Sequence, residues 1–378
     1  MNFQKISFFS FLICQIFLVE NIFAQKLQSI SHKHKNNKCP KNIILMIGDG
    51  MGTAQIYSGL TAKKDNLNLK RCTHIGFSQT NSSDNYVTDS AAGATAFSIG
   101  QKTYNGAIGV DKNKVPQKTI LETAESKGLT TGLVATCSIT HATPASFIAH
   151  QPSRALDEDI AKDFLKTDVD VLIGGGRQFF EKRRDSLNLL AIMKKNNYQI
   201  ASLVEDLKNI SSGKVVCLRL DPDSAKMNKF PKMSEGRGEY LSTASLKAIE
   251  ILKNNDKKNK KGFFLMIEGS QIDWGGHANN SDYIIKEMVD FDNCIGKVLD
   301  FAEKDGETLV IITADHETGG YALVGGNLEK GEVVGKFSTD YHTGVMVPVF
   351  AFGAGAEHFA GIYHNTEIYK KMMYLFRF

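Results

Sequence analysis

Apolar runs along the chain end in clusters of polar residues that can bind metal ions. The clearest run, FFLMI at residues 263–267, is followed by Glu268, Asp273 and His277. A short, continuous apolar run is typical of a strand buried in a parallel sheet. Two carboxylates and an imidazole at one strand end suit a divalent cation, although a solvated loop explains this stretch equally well when it is taken alone.

The same arrangement recurs elsewhere in the sequence. Three further apolar runs precede polar residues: 42–47 precedes Asp49, 308–313 precedes Asp315 and His316, and the weaker 130–136 precedes His141 and Thr143. In open α/β sheets, ligands bind outside the carboxyl ends of the strands, so residues that follow separate strands can converge on one crevice. Because the pattern occurs four times, it predicts a site for several metal ions.

The segments between these runs alternate between helical and strand patterns, which indicates an α/β protein. The patterns predict helices at 53–69, 118–127, 281–303 and 365–378, strands at 168–176 and 345–352, and a small β insertion at 319–341. The alternation therefore supports the interpretation that the four apolar runs are strands of one sheet.

Ser90 is predicted to lie at the start of a helix. Thr88 and Asp89 have N-cap chemistry, and the Ala-rich segment after them favours a helix. The unpaired amides and the positive end of the helix dipole favour an anion there, either a phosphate oxygen or a serine alkoxide. Simple capping is the alternative for this motif alone. No GxSxG sequence surrounds Ser90, so an α/β-hydrolase triad is not indicated.

Two further residues are candidates for the same site. Arg154 follows the His141 segment, and an arginine can bind two phosphate oxygens at once, which a lysine cannot. His342 supplies another imidazole directly before an apolar strand pattern. Both side-chain types are expected in a site that binds phosphate and metal ions.

Composition and charge place the chain among ordinary globular proteins. Its 378 residues are sufficient for one large α/β domain or two small ones, and 42% of them are hydrophobic. A formal net charge of +4 is too weak to indicate a nucleic-acid partner. The six cysteines have irregular spacing and no CxxC motif, so they identify neither a metal site nor a disulfide.

The first residues have the pattern of an export signal. Lys5 precedes an apolar run, and Ala24 offers a small residue at a cleavage point, so residues 1–24 are predicted to be a signal peptide. Residues 25–41 are interpreted as a polar lead-in to the first strand. No membrane span is expected in the mature chain. The predicted location is therefore outside the cytoplasm, either periplasmic or extracellular.

Six motifs, in this order, resemble those of the alkaline phosphatase family of metal-dependent phosphomonoesterases: IGDGMG, VTDSAAGATAF, ATPASFIAHQPSR, EGSQIDWGGH, TADHETGG and HTG. The resemblance extends from residue 42 to about residue 352. It implies a three-layer fold in which helices flank a central, mostly parallel sheet with a small β insertion. It also implies that 42–378 is one catalytic domain, with 319–341 as the insertion, and that a homodimer is possible.

The resemblance also implies roles for the candidate residues. Ser90 corresponds to the nucleophile that forms a phosphoserine, and Arg154 to the residue that binds the phosphate. The implied metal ligands are Asp273, His277 and His342 for one zinc ion, Asp49, Asp315 and His316 for a second, and Thr143 and Glu268 with a bridging Asp49 for magnesium. A zinc ion lowers the pKa of bound water to about 7 and can favour a bound alkoxide in the same way.

Two positions depart from the pattern of some bacterial members. His141 stands where those members have an aspartate, and Trp274 where they have a lysine. An imidazole is less suited to Mg²⁺ than a carboxylate, so the identity of the third metal is an open question. The insertion at 319–341 is also short for a region that contributes to the dimer contact in this family.

Two other functions remain possible on the sequence. A phosphodiesterase or sulfatase of the same superfamily would share part of the metal core but would differ at the nucleophile and at Arg154. A metal or phosphate binder without catalytic activity is expected to have lost a ligand or the nucleophile, and all of these residues are present. The leading hypothesis is an exported phosphatase that acts on small-molecule phosphate monoesters.

Overall fold

The computed structural model describes residues 39–219 and 230–378. The predicted signal peptide and most of the predicted polar lead-in lie outside the described residues. None of the helices in these two ranges is long and apolar enough to span a bilayer.

One large sheet forms the centre of the described chain. The strands are β1 (Asn42–Gly48), β2 (His74–Gln79), β3 (Thr130–Ser138), β4 (Val171–Gly175), β5 (Tyr198–Ala201), β6 (Lys214–Leu218), β7 (Phe263–Gly269), β8 (Thr308–Thr313), β9 (Glu317–Thr318), β10 (Ala322–Asn327), β11 (Glu332–Lys336), β12 (His342–Thr343), β13 (Val347–Gly353) and β14 (Gly361–His364). Ten of these described strands form the sheet in the order β14-β2-β13-β8-β1-β7-β3-β4-β6-β5. Neighbouring strands run parallel except at β13, which is antiparallel to both β2 and β8. The predicted mostly parallel α/β sheet is confirmed.

Helices cover both faces of this sheet. They are α1 (Thr53–Ala62), α2 (Ser90–Ile99), α3 (Ile120–Ser126), α4 (Ala142–Ala145), α5 (Asp157–Asp163), α6 (Gln178–Glu181), α7 (Leu189–Lys195), α8 (Tyr240–Asp256), α9 (Gln271–His277), α10 (Ser281–Asp305) and α11 (Thr366–Phe376). Short 3₁₀ turns occupy Asn68–Arg71, Val204–Asn209, Met233–Glu235 and Ala356–Phe359. The three-layer arrangement predicted from the resemblance is therefore present.

The central strands hold the layers together through alternating side chains. In β1, Ile43 and Leu45 belong to the apolar core shared with α2, α3 and α11. Ile44 and Met46 belong to the opposite core, shared with α8 and α10. Every residue of β1, β3, β7 and β8 is buried. Each fully buried Val, Leu, Ile or Phe side chain stabilises the fold by about 1.5–3 kcal/mol, which explains the uninterrupted apolar runs.

One predicted helix was wrong in its extent. The helix predicted at 53–69 ends at Ala62, and Lys64 and Asp65 adopt positive φ values of 49° and 68°. A left-handed backbone at consecutive non-glycine residues cannot continue a right-handed helix, so the chain turns and enters the Asn68–Arg71 3₁₀ turn. By contrast, the predicted β structure within 319–341 is present as the antiparallel pair β10 and β11.

The order of strands explains why distant motifs meet. Strands β8, β1, β7 and β3 are consecutive neighbours and all run parallel. Ile47 near the end of β1 pairs with Glu268 of β7 and with Thr313 of β8, and Glu268 also pairs with Ala135 of β3. The four predicted strand ends therefore open onto one edge of the sheet.

Candidate active site

The first group of metal-ligating side chains consists of Asp273, His277 and His342. Asp273 and His277 are four residues apart on α9, so they share one face of that helix, and His342 comes from β12. The Asp273 Oδ1 atom lies 3.3 Å from His277 Nε2 and 3.5 Å from His342 Nε2, and the two Nε2 atoms are 3.1 Å apart. These three atoms can face one cation.

The other ring nitrogens of these two histidines are fixed by backbone carbonyls. His277 Nδ1 donates to the carbonyl oxygen of Asp340 at 2.6 Å, and His342 Nδ1 donates to that of Thr88 at 2.9 Å. A proton on Nδ1 leaves the lone pair of Nε2 free. Such partners orient the imidazoles of metal sites and set their tautomer.

The second group consists of Asp49, Asp315 and His316, which follow β1 and β8. All three are fully buried. The His316 Nε2 atom lies 3.5 Å from Asp49 Oδ1 and 3.2 Å from Asp315 Oδ2. Asp315 Oδ1 accepts hydrogen bonds from the backbone amides of Gly50 and His316, while its Oδ2 has no hydrogen-bond partner. The backbone therefore holds this carboxylate with one oxygen free.

Thr318 connects the two groups, and it was not among the candidate residues of the sequence analysis. Its hydroxyl donates to Asp273 Oδ1 at 2.5 Å and lies 3.2 Å from His316 Nδ1. The rings of His316 and His342 also stack, with centroids 3.5 Å apart. The only signal in the sequence is that Thr318 follows His316 by two residues, and the structure places Thr318 on the short strand β9.

A third group lies at the end of β3 and contains Cys137, His141 and Glu268. One ligand atom from each lies within 4.8 Å of the others. Thr143, on α4, is fully buried, and its hydroxyl has no hydrogen-bond partner. The structure thus brings His141 and Glu268 together as predicted from the strand ends, and it adds Cys137, which the sequence analysis did not single out.

Ser90 is the first residue of α2 and faces the second group. Its Oγ lies 3.2 Å from His316 Nε2. Asp89 is the N-cap, and its Oδ1 accepts hydrogen bonds from the amides of Ala92 and Gly106, both at 3.0 Å. The predicted helix start at Ser90 is confirmed, and the serine hydroxyl is directed towards the metal-ligating residues.

Arg154 is positioned by two neighbours of the site. Its Nη1 donates to Asp89 Oδ2 at 3.0 Å, and its Nη2 lies 3.2 Å from His141 Nε2. The Arg154 side chain is 31% exposed, so it is open to a bound anion. The sequence identified Asp89 only as a cap, because its contact with Arg154 spans 65 positions of the chain.

Burial makes the carboxylates of the site difficult to ionise in the absence of a cation. Burial, reinforced by Asp315 and Asp273, raises the pKa of Asp49 well above its ordinary value. Burial also raises the pKa of Glu268 to about 7. Burial opposes ionisation of Asp315 as well, but the adjacent His316 lowers the pKa of that carboxyl to about 2. Concentrated buried negative charge of this kind requires a compensating cation.

The histidines of the site carry too little positive charge to balance the buried carboxylates. Burial, together with the positive charge of Arg154, lowers the pKa of His141 to about 3. Burial and the neighbouring His316 lower the pKa of His342 to about 4. Burial also disfavours the charged form of His316, but Asp315 outweighs it and raises the pKa of His316. Most of these rings are neutral at neutral pH and can act as metal ligands.

The sequence is similar to known enzymes over most of its length. The sequence model of the family described as alkaline phosphatase matches residues 40–335. Alkaline phosphatase 4 of Bacillus subtilis is 34% identical over 93% of this chain and 92% of its own length. The alkaline phosphatase of Escherichia coli is 32% identical over 89% of this chain and 86% of its own length.

Solved structures are similar as well. The alkaline phosphatase of the Antarctic bacterium TAB5 is 47% identical, with a TM-score of 0.84 over 90% of this chain and 99% of that chain. A variant of the TAB5 enzyme, with a histidine replaced by aspartate and magnesium bound in its M3 site, is 45% identical, with a TM-score of 0.82 and the same coverage of both chains.

Proposed function

This chain belongs to the alkaline phosphatase family and is a phosphomonoester hydrolase, and we propose that Ser90 carries the phosphoryl group between the two halves of the reaction. The observation that carries this proposal is the position of the Ser90 hydroxyl, at a helix start and 3.2 Å from a member of a buried group of metal-ligating residues.

Two zinc ions and a third divalent cation fit the residues present. Several buried atoms have no hydrogen-bond partner, among them both carboxylate oxygens of Asp49, Oδ2 of Asp315, Oε1 of Glu268 and the hydroxyl of Thr143. A buried polar atom without a partner costs about 1–3 kcal/mol, and more when it is charged. Binding of cations by these atoms would remove that cost.

The donor types assign residues to these cations. Mixed carboxylate and imidazole ligands suit zinc. One zinc ion would be held by Asp273, His277 and His342, and the second by Asp49, Asp315 and His316. The third cation would be held by Asp49, Thr143, Glu268 and His141, in the site that the family resemblance assigns to magnesium. When bound, these cations lower the pKa of a hydroxyl that they contact and neutralise charge on the ester.

Ser90 attacks the phosphorus of the substrate through its Oγ. Of the histidines in the described residues, His316 is the one that contacts this hydroxyl, and its Nε2 belongs to the second ligand group. It is therefore a ligand rather than a free general base. The start of α2 favours the ionised hydroxyl because the positive end of the helix dipole lies there.

Arg154 holds the non-bridging oxygens of the phosphate. Its guanidinium can donate two parallel hydrogen bonds, and Asp89 keeps it at the mouth of the site. The backbone amides at the start of α2 bind the same anion. In a loose transition state much of the charge is on these oxygens, so both contacts favour the reaction.

The reaction consists of two displacements at phosphorus. In the first, the Ser90 hydroxyl loses its proton, a bond forms from Oγ to phosphorus, the ester P–O bond breaks, and the leaving oxygen takes up a proton to give the alcohol. In the second, water loses a proton as its oxygen bonds to phosphorus, the Oγ–P bond breaks, Ser90 Oγ regains a proton, and inorganic phosphate is released. Each in-line step inverts phosphorus, so the overall reaction retains its configuration.

Residues 1–24 act as a signal peptide and direct the protein to the periplasm or the exterior, a location that suits hydrolysis of small-molecule phosphate monoesters outside the cytoplasm. Residues 42–378 form the catalytic domain, with 319–341 as its insertion. The proposed reaction requires no nucleic-acid partner, and the family resemblance makes a homodimer possible.

The experiment that tests this function compares substrates on purified protein supplied with Zn²⁺ and Mg²⁺. We expect p-nitrophenyl phosphate to be hydrolysed much faster than bis(p-nitrophenyl) phosphate or p-nitrophenyl sulfate. EDTA and the Ser90→Ala substitution should each abolish the activity. A preference for the diester, or equal activity in the Ser90→Ala protein, would contradict the proposal.

A further inference from the structure

The third ligand group contains a thiol in addition to its oxygen and nitrogen donors. Cys137 is fully buried near the end of β3, and its Sγ lies 3.3 Å from Glu268 Oε2. Cys137, His141 and Glu268 each offer one ligand atom, and all three atoms lie within 4.8 Å of one another. The spacing is compatible with one zinc ion, whose tetrahedral ligands at about 2.0–2.3 Å lie roughly 3.5 Å apart.

Three other buried polar atoms of the third cation site have no hydrogen-bond partner. Two of them are Glu268 Oε1 and Thr143 Oγ1. Both residues are fully inaccessible to solvent, so bulk water does not bond these atoms either. His141 Nδ1 is also buried without a partner, while its Nε2 faces Arg154. Carboxylate, hydroxyl and imidazole donors thus remain available beside the sulfur.

The other buried cysteines of the described chain differ from Cys137. Cys294 is equally buried, but its Sγ contacts the Ser245 hydroxyl at 3.3 Å and the carbonyl oxygen of Leu241 at 3.8 Å. Neither contact belongs to an ionisable group. Among the cysteines of the described residues, Cys137 is the one that belongs to a group able to hold a metal ion.

Donor chemistry then distinguishes between cations. Mg²⁺ prefers an octahedron of oxygen atoms and usually keeps several waters, whereas a thiolate and an imidazole suit zinc and other late first-row metals. A buried site that replaces a carboxylate with His141 and adds a sulfur therefore favours Zn²⁺ or Co²⁺ over Mg²⁺.

We propose that Cys137 is a ligand of the third cation site and that its sulfur shifts the preference of this site from Mg²⁺ towards Zn²⁺ or Co²⁺. The inference rests on the proposed function, since it uses the cation site formed by Glu268, Thr143 and His141. When the metal binds, the S–H bond breaks, the sulfur keeps the electron pair for the metal, and the proton leaves to solvent.

The test uses cobalt as a spectroscopic probe on the whole protein. Metal-free wild type titrated with Co²⁺ should bind three equivalents, and the third should bring a near-ultraviolet thiolate-to-cobalt band. Cys137→Ser should lose that band, and its third equivalent should bind Co²⁺ at least about 10-fold more weakly. Cys294→Ser removes an equally buried thiol and should keep both the band and the third equivalent.

Competition between metals gives a second readout. In wild type loaded with zinc, an excess of Mg²⁺ should leave three zinc ions bound, as measured by elemental analysis. In Cys137→Ser the same treatment should leave two zinc ions and add one magnesium ion. A Cys137→Ser protein that keeps three zinc ions under this treatment would overturn the inference.

X-ray absorption of the wild-type zinc protein tests the inference without any substitution. A sulfur scatterer at about 2.3 Å supports it, and only nitrogen and oxygen scatterers overturn it. One outcome would rule out Cys137 as a ligand and leave the proposed function intact: two tightly bound zinc ions and normal phosphatase activity, with no sulfur scatterer. Wild type that binds no zinc at all would overturn both.

Discussion

The imidazole rings of His316 and His342 lie stacked, with their centroids 3.5 Å apart and their planes at 16°, although one belongs to each of the two proposed zinc groups. The stack joins the segment that follows β8 to β12, so neither group is built independently of the other. The two cations should therefore depend on one another for binding.

Replacing His342 tests this dependence. His342→Ala removes one ligand of the first group and the ring that supports His316, so we expect the protein to lose more than one equivalent of bound zinc. Elemental analysis after dialysis measures the loss. His358→Ala is the control, because His358 is partly exposed and contacts Glu357 and Tyr374 instead. Loss of a single equivalent would show that the groups are independent.

Thr318 should affect metal affinity without being a ligand itself. Thr318→Val removes the hydroxyl that donates to Asp273 and lies beside His316 while it preserves the shape of the side chain. Loss of a supporting hydrogen bond of this kind lowers metal affinity about 10–100-fold. Competition with a chelator measures the change.

A matched substitution controls for the loss of a buried threonine. Thr131 is also fully buried, but its hydroxyl bonds Glu125 near the start of β3, at the opposite end of the strand from the site. Thr131→Val should therefore leave zinc affinity unchanged. If Thr318→Val and Thr131→Val bind zinc with equal affinity, Thr318 does not support the metal ligands.

Asp89 should determine how tightly Arg154 binds phosphate. Asp89→Asn keeps an oxygen that can cap α2 but loses the charge that pairs with Arg154, so the guanidinium is held less firmly. We expect the inhibition constant of inorganic phosphate to rise several-fold, which corresponds to about 1 kcal/mol. Thermal stability should change little.

The alanine variant separates this effect from helix capping. Asp89→Ala should additionally lose about 1 kcal/mol of stability, because the amides of Ala92 and Gly106 lose their acceptor. An unchanged inhibition constant in Asp89→Asn would contradict the positioning role.

The metal-free protein should become less stable as pH rises. Burial raises the pKa of Glu268 from 4.5 to about 7, so the folded chain keeps a proton that the unfolded chain has released. This contribution to the free energy of unfolding is fully present below the unfolded pKa and is lost as pH rises through the folded pKa.

Glu268→Gln isolates that contribution because an amide does not titrate. Between about pH 5 and about pH 8, the melting temperature of metal-free wild type should fall more steeply than that of Glu268→Gln. Added Zn²⁺ and Mg²⁺ should raise the melting temperature of wild type most at the upper end of this range. If the melting temperatures of the two metal-free proteins change with pH in the same way, the raised pKa of Glu268 does not contribute to stability.

The sequence predicted those features that depend on local patterns. The strands β1, β3, β7 and β8 are buried on both faces, so their apolar runs are continuous and easy to identify. The helix start at Ser90 was also predictable, because Asp89 is a favourable N-cap and alanines follow. Both predictions required no knowledge of the neighbouring strands.

Other features depend on contacts between distant segments. Thr318 meets Asp273 across 45 positions, and Cys137 meets Glu268 across 131. Neither residue type has a distinctive pattern of its own, so its partner is known only once the strand order places the two ends together. The end of α1 at Ala62 was missed because the positive φ values of Lys64 and Asp65 leave no clear mark in composition.

The most direct test of the account is to trap the phosphoryl group. Protein supplied with Zn²⁺ and Mg²⁺ is mixed with p-nitrophenyl phosphate, quenched in acid and digested, and the phosphorylated peptide is identified by mass spectrometry. We predict phosphate on Ser90, and none after treatment with EDTA or in Ser90→Ala. Phosphate on another residue, or full hydrolysis with Ser90 replaced, would contradict the proposal that the cation sites serve this hydroxyl.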